Sequence, residues 1–347
     1  MSFFFCEGIM KFTVDNIKEF VLGAESVEKE GKYIKLDRFT QEQRIALKTE
    51  EFIKKSYSAA GIRICFVTDA VRLNLEVTSE VIGSTRKYFA YDILVNGEYF
   101  SSLNNFEDKS VEGNYTISAF PLGEQKKSFE LAAGEKEITI VCPWSVCSLI
   151  KELSLEGESF VKAIAPKKKY ISFGDSITHG YDCLHPINRY AHRMADLFGA
   201  EEYCKAIGGE FFNPDMAAAF ESVKPDYITV AYGTNDWSKK TREYFTENCK
   251  KFFDTLAEKY PDAKIFAITP IWRADINEEG KGFSEFSFVD SYIKEVTAPY
   301  KNIVCVTGID FLPHDTSLFA DFYLHPSDKG NDYYFESLKK VIQPYID

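Results

Sequence analysis

The sequence predicts two folds in succession, an all-β sandwich of jelly-roll type and then an α/β unit built on a parallel sheet. Three observations predict this. Up to about residue 160, apolar and polar residues alternate with the two-residue period of half-buried strands. Past a stretch at 163–169, short apolar runs alternate with segments of helical period, the pattern of a parallel sheet covered by helices on both faces. Finally, 347 residues exceed one average domain and suit two. The boundary is placed so that 1–162 form the sandwich and 163–347 the α/β domain.

In the first half, a run at 62–67 is followed by Val71-Arg-Leu-Asn-Leu-Glu-Val77, a clean in/out alternation. Residues 91–95 meet Asn96-Gly97, a dipeptide suited to the positive φ angles of a type I′ hairpin turn. Residues 128–131 and 137–141 flank a turn and read as a second hairpin, and 148–155 supply a further strand. Many short strands with almost no helical period predict a sandwich. In the second half, strands are predicted at 170–173, 227–231, 265–269 and 303–306, with a short run at 202–204. Helices are predicted at 188–198, 241–259, 284–297 and 327–342. In such sheets ligands bind beyond the carboxyl ends of the strands, which is where chemistry is expected.

Composition excludes several classes. A net charge of −12 opposes nucleic-acid and anionic-membrane partners at long range. The basic run Lys167-Lys168-Lys169 reads as a solvated linker between elements. Eight cysteines (Cys6, Cys65, Cys142, Cys147, Cys183, Cys204, Cys249, Cys305) contain no C-x-x-C pair, so zinc and redox motifs are unsupported and buried thiols are expected. No metal or cofactor is expected. No stretch reaches the length of a membrane-spanning helix. The N-terminal apolar run lacks a basic segment and is broken at Glu7, a poor signal peptide, so a cytoplasmic location is expected.

Four segments fall at strand ends or beyond the last strand: Gly174-Asp-Ser-Ile-Thr-His-Gly180, Gly208-Gly209-Glu210, Gly233-Thr-Asn235-Asp236-Trp237 and Asp321-Phe-Tyr-Leu-His325-Pro326. Acyl transfer needs a nucleophile, a base and donors aimed at the developing oxyanion. Ser176 and His325 suit the first two roles; a glycine N–H at 208 or 209 and the Asn235 amide suit the third.

Taken together and in this order, the segments resemble the four blocks of the SGNH (GDSL) hydrolase superfamily, over about residues 170–345. That resemblance implies a flavodoxin-like three-layer domain, with Ser176 as nucleophile and His325 as general base. It implies an oxyanion hole from the N–H groups of Ser176 and Gly209 and the Asn235 side chain. Gly209 is favoured over Gly208 because Glu210 stands where the family carries Asp or Asn. The family's orienting carboxylate lies three residues before the histidine, where this chain has Phe322; Asp321 lies four before. Either a local bulge brings Asp321 to the imidazole, or backbone carbonyls hold His325 in a Ser-His dyad. A jelly roll ahead of such a domain is similar to carbohydrate esterase family 2. This implies deacetylation of xylo- or manno-oligosaccharides, with a small-molecule or oligosaccharide ester as partner; a homo-oligomer is compatible with the sequence. A short-chain lipase or thioesterase, and a carbohydrate-binding protein with a decayed site, are the competing readings.

Other residues receive local readings. His179 is expected at the rim of the site; Trp237 and Trp272 follow strand ends where an aromatic face can stack on a sugar, with simple packing as the other reading of either one. Asp175 and Asp236 read as anchors accepting backbone N–H bonds. His314 fits no block, and His185 and His192 read as loop and helix-surface residues.

Overall fold

Alternation in the first half produces two antiparallel sheets that share one core. The computed structural model describes residues 2–4, 8–106, 120–158 and 160–346, so Cys6 and Glu7 lie outside the described residues. One sheet runs in the order Ser2–Phe4, Phe160–Ala163, Arg63–Thr68, Lys136–Val141, Ala90–Val95, Glu98–Asn104, with Val21–Leu22 also on Arg63–Thr68. The other runs Gly123–Glu130, Arg72–Val81, Val146–Glu156, Tyr33–Asp37, Ser26–Glu30, with Ile9–Lys11 on Val146–Glu156. Inward residues of both, among them Ile64, Phe66, Leu73, Leu75 and Val77, meet in a single cluster. The Asn96-Gly97 turn has φ of 52° and 82°, as a type I′ hairpin requires.

Two expectations are corrected here. The segments at 128–131 and 137–141 do not pair with each other. Gly123–Glu130 pairs with Arg72–Val81, whereas Lys136–Val141 lies in the opposite sheet between Arg63–Thr68 and Ala90–Val95. Phe129, Leu131, Ile138 and Ile140 all enter the core between the sheets, so the turn carries the chain across the sandwich. The first half also holds two short helices, Gln41–Ala46 and Glu50–Lys55. Six residues are under two turns, too few to display a period, but Thr40 and Gln43 form a capping box and Thr49 caps the second helix.

The second half is a five-stranded parallel sheet in the order Ala200–Cys204, Lys168–Gly174, Tyr227–Ala231, Lys264–Ile268, Ile303–Val306. Its strand order of 2-1-3-4-5 is flavodoxin-like and reverses at Lys168–Gly174. Side chains alternate between two cores. Ile171, Phe173, Ile228 and Val230 pack under helices Arg242–Lys259 and Ser287–Thr297. Tyr170, Phe266 and Ile268 pack under Tyr190–Phe198 and Asp328–Ile342. The stretch expected as linker narrows to 164–167, because Lys168 and Lys169 already belong to a strand and bind Tyr227 and Glu201.

The halves are joined through buried polar groups. The Arg38 guanidinium, fully buried, donates to the carbonyls of Ser58 and Lys55 on one side and of Cys204 and Ala206 on the other. Lys205, also fully buried, lies 2.6 Å from Glu25 and 3.3 Å from Glu221. An apolar cluster including Tyr88, Trp144, Tyr181 and Cys204 fills the seam. Among the described residues seven cysteines are free thiols, five buried and two half-buried. No helix among the described residues is long and apolar enough to cross a membrane.

Candidate active site

The strand at the switch point delivers Ser176. Lys168–Gly174 ends at Gly174, where a Cβ would fall 2.2 Å from Thr178 Oγ1, so only glycine permits the tight turn into helix Ser176–His179. Asp175 caps that helix through the Ile177 N–H at 3.0 Å, and burial lifts its carboxyl to about 6. Ser176 is the first helical residue, so its N–H is among those with no partner inside the helix.

His325 comes from the loop before the last helix. Its Nε2 lies 2.8 Å from Ser176 Oγ, and its Nδ1 lies 2.7 Å from Asp321 Oδ2. Of the two arrangements open from the sequence, the structure has the bulge. Phe322 adopts φ of 58° and points its half-exposed ring outward, which turns Asp321 back under the imidazole. Asp321 Oδ1 meanwhile accepts the N–H groups of Tyr323, Leu324 and His325 at 3.0, 2.8 and 3.1 Å. Burial opposes the charged form of Asp321, but the His325 bond and these N–H donors outweigh it and hold its pKa at about 2.

A second carboxylate, unforeseen in the sequence, stands nearby. Asp182, fully buried with φ of 70°, places Oδ2 3.4 Å from His325 Nδ1. Its two oxygens receive Arg86 Nε and NH2 at 2.8 and 2.9 Å, and Tyr88 adds a hydroxyl at 2.8 Å. Burial opposes the Arg86 charge, yet Asp182 raises its pKa above the ordinary arginine value. Arg86 and Tyr88 belong to the sandwich half, so that half supports the histidine loop.

The two glycines divide their roles. Gly208 is pinned at both polar atoms: its N–H donates to His179 Nδ1 at 3.1 Å, and its carbonyl accepts Lys55 Nζ at 2.9 Å. A Cβ on Gly208 would also meet the Tyr181 ring at 2.5 Å. Gly209, at φ of 89°, follows and lines the cleft. Asn235 Nδ2 donates to the Glu210 carbonyl at 3.1 Å, fixing its amide beside the same loop. Glu210 accepts from Asn213 Nδ2 at 3.0 Å and Tyr232 Oη at 3.1 Å; burial raises its carboxyl to about 8. Asp236 accepts the Phe212 N–H at 3.2 Å, and burial raises its carboxyl to about 7. Asp175 and Asp236 therefore anchor backbone as expected.

Ser176, Gly209, Asn235 and His325 line one cleft of about 350 Å³. Three residues expected to face substrate do not line it. His179 is fully buried, with Nε2 2.8 Å from Ser58 Oγ and 3.1 Å from the Trp144 carbonyl, and burial pulls its pKa well below the ordinary value. It supports Gly208 from beneath instead of sitting at the rim. Trp237 is 1% exposed; its indole N–H donates to Ser284 O at 2.7 Å, and its ring packs on Arg273 and Phe286. Trp272 is stacked on His314 at 5.1 Å, away from the cleft. His192, expected on a helix surface, is buried, which lowers its pKa to about 4; His185 bonds Asp92 at 2.8 Å.

The remaining wall is polar and cationic. Lys55, Arg86, Lys239, Arg273 and Lys281 reach the cleft, with Tyr181 and Tyr323 as its aromatic surfaces. Arg273 grips Asp275 through Nε at 2.5 Å and NH2 at 3.0 Å, and Tyr323 Oη donates to the same carboxylate at 2.7 Å. Asp182, Asp321 and His325 place ligand atoms within 4.8 Å of one another, but their hydrogen bonds to Arg86, Tyr88 and the loop N–H groups already employ the carboxylates.

Residues 172–333 match the GDSL-like lipase/acylhydrolase family. Among curated proteins none matches the chain in sequence. Its fold is similar to that of a salicylyl-acyltransferase from a tetracycline biosynthetic pathway, with TM-score 0.76 and 17% identity over 93% of this chain and 94% of that one. It is also similar to a family two carbohydrate esterase from Cellvibrio japonicus (TM-score 0.64, 16% identity, 99% of each chain). An acetyl xylan esterase from the rumen bacterium Butyrivibrio proteoclasticus gives TM-score 0.62 and 14% identity, over 97% and 98% of the two chains. The second half thus has an SGNH-like parallel-sheet fold that carries the GDSL-like match, and with the β-sandwich before it the chain resembles the family two carbohydrate esterases in fold.

Proposed function

We propose that this chain, an SGNH/GDSL core behind a β-sandwich, is a serine ester hydrolase that removes O-acetyl groups from carbohydrate. The observation that carries the reading is the unbroken line from Ser176 Oγ to His325 Nε2 at 2.8 Å and from His325 Nδ1 to Asp321 at 2.7 Å. A hydroxyl, an imidazole and a buried carboxylate in that order generate a nucleophile and store its proton.

Ser176 Oγ attacks the acetyl carbonyl while its proton passes to His325 Nε2. The oxyanion is received by the N–H groups of Ser176 and Gly209 and by Asn235. An amide carries two N–H donors, and Asn235 holds only one of them on Glu210. His325 returns its proton to the departing sugar oxygen, leaving an acetyl ester on Ser176. Water, deprotonated by His325, then releases acetate and restores the serine. Asp321 fixes the imidazole with Nδ1 protonated and stabilises the imidazolium that forms twice per cycle. Each oxyanion donor is worth about two to three powers of ten in rate.

The charged wall favours a short acyl group attached to a polar alcohol over a long acyl chain. Tyr323, half-buried on the cleft wall, is the ring open to a sugar, whereas Tyr181 is buried against Trp144 and offers only its edge to the cleft. The expected outcome is acetate release from acetylated xylo- or manno-oligosaccharides that disappears in Ser176→Ala. p-Nitrophenyl acetate is expected to be cleaved faster than the octanoate ester. Faster turnover of octanoate would favour the lipase alternative, and absence of any ester turnover would favour a binding protein.

A further inference from the structure

The cleft over Ser176 presents five cationic side chains, Lys55, Arg86, Lys239, Arg273 and Lys281, against one acidic one, Glu51, in a chain of net charge −12. Four of these cations have carboxylate partners. Asp182 serves Arg86, Glu51 serves Lys55 at 2.5 Å, and Asp275 is shared between Arg273 and Lys281, the latter at 2.6 Å. Adding Asp321, which is bonded to His325, and Asp175, whose charge acts on Lys239 and Arg273, brings the charges about level, so the pointer to an anion is the one cation without a carboxylate partner.

Lys239 is the telling member. It closes helix Thr234–Lys239, one turn past Asn235, and its side chain is exposed into the cleft. Among the described residues no ion pair holds it. Partial burial and repulsion from Lys55 and Arg273 outweigh the attraction of Asp175 and Glu51 and lower its pKa. An anion entering the cleft would relieve that repulsion. Lys281 can add to it, since an ammonium has three donors and Asp275 is already gripped twice by Arg273.

Resting on the esterase reading above, we propose that the ester bound here carries a fixed negative charge, a carboxylate or a phosphate, on its alcohol part, and that Lys239 with Lys281 recognises it. An acetyl group has no place for such a charge, so the anion belongs to the sugar. Clefts lined by one sign of charge concentrate ligands of the opposite sign and speed their capture.

The experiment compares acetate release from an acetylated methyl glucuronide, an acetylated glucose 6-phosphate and an acetylated methyl glucoside. An anionic ester is expected to exceed the neutral one about tenfold in kcat/KM at low ionic strength, with the advantage shrinking at about 0.5 M salt. Preference for the glucuronide alone assigns a carboxylate; preference for the phosphate alone assigns a phosphate. Lys239→Gln is expected to lower the anionic-to-neutral ratio about fivefold or more. Equal rates on all three esters, or a Lys239→Gln effect that strikes all equally, overturn the inference, while Ser176-dependent turnover would leave the esterase reading standing. If no ester is cleaved, that reading fails, and calorimetric titration with methyl glucuronide, glucose 6-phosphate and methyl glucoside decides the charge preference by itself. Binding without preference for the anions overturns it.

Discussion

Asp321 reaches His325 across four positions, not three, because Phe322 between them takes a left-handed backbone; the contact closes at 2.7 Å. The extra residue is absorbed as a bulge whose N–H groups the same carboxylate collects, so the loop and the Asp321–His325 contact stabilise one another. Asp321→Asn is accordingly expected to lower kcat by about two powers of ten or more, through the wrong imidazole tautomer. Steady-state kinetics on p-nitrophenyl acetate check it, and an effect below about threefold would exclude Asp321 from the mechanism. Because Asp321 stays ionised down to about pH 2, the acid limb of the wild-type pH–rate profile is expected to show no inflection from this carboxylate at the ordinary aspartate value.

The bulge itself is open to test. A left-handed conformation costs a non-glycine residue about 1–2 kcal/mol. Phe322→Gly is therefore expected to fold, with kcat within about twofold of wild type, since glycine takes this conformation freely. Phe322→Pro cannot hold φ of 58°, and it removes the N–H that donates to Phe319 O at 2.9 Å. Its kcat is expected to fall as far as that of Asp321→Asn, with circular dichroism confirming that the chain remains folded.

His179 offers a test of a residue that acts through another. His179→Leu leaves the buried Gly208 N–H without its acceptor, a loss of about 1–3 kcal/mol in stability. The glycine loop would loosen beside the proposed oxyanion site, so kcat is expected to fall with KM little changed. A rise in KM at constant kcat would instead indicate direct contact with substrate.

Buried carboxyls set the pH dependence of stability. Asp175, Asp236 and Glu210 have pKa values of about 6, 7 and 8 in the fold, above those of the unfolded chain. A raised carboxyl binds more protons folded than unfolded, so its stabilisation is complete below the unfolded pKa and is lost as pH rises through the folded one. Asp321 and Asp275, held at about 2, act oppositely, and their contribution is lost only as pH falls from about 4 toward 2. Tm is therefore expected to decline between about pH 5 and pH 8.5, and Glu210→Gln is expected to flatten that decline, as differential scanning fluorimetry would show.

The parallel sheet was legible because its inner strands are largely buried apolar runs and its longer helices show their period. Asn96-Gly97 announced its hairpin through backbone chemistry that few other dipeptides share. Pairing of 128–131 with 137–141 failed for a different reason: a turn between two strands says nothing about which sheet each joins. At the site, Ser176, Gly209, Asn235 and His325 were singled out together through their resemblance to the four SGNH blocks, and the structure brings all four to one cleft. His179, Trp237 and Trp272 misled because adjacency to such a segment does not fix which way a side chain turns. Asp182, Arg86 and Lys55 were invisible, since their partners lie roughly 100 or more positions away in sequence or are backbone atoms of the opposite half. The Thr40–Gln43 capping box and the Thr49 cap before Glu50 and Glu51 are the local signals that the sandwich half carries helices.

Arg38 gives that last point a wider meaning. One guanidinium holds carbonyls of the sandwich half and of the segment leading to Gly208, so the geometry of the glycine loop depends on residues encoded some 170 positions earlier. Exchange of the sandwich for an unrelated module would remove Arg38, Lys55 and Arg86 together. The sandwich is therefore part of the frame of the cleft: its Lys55 holds the Gly208 carbonyl and its Arg86 holds Asp182 beside His325.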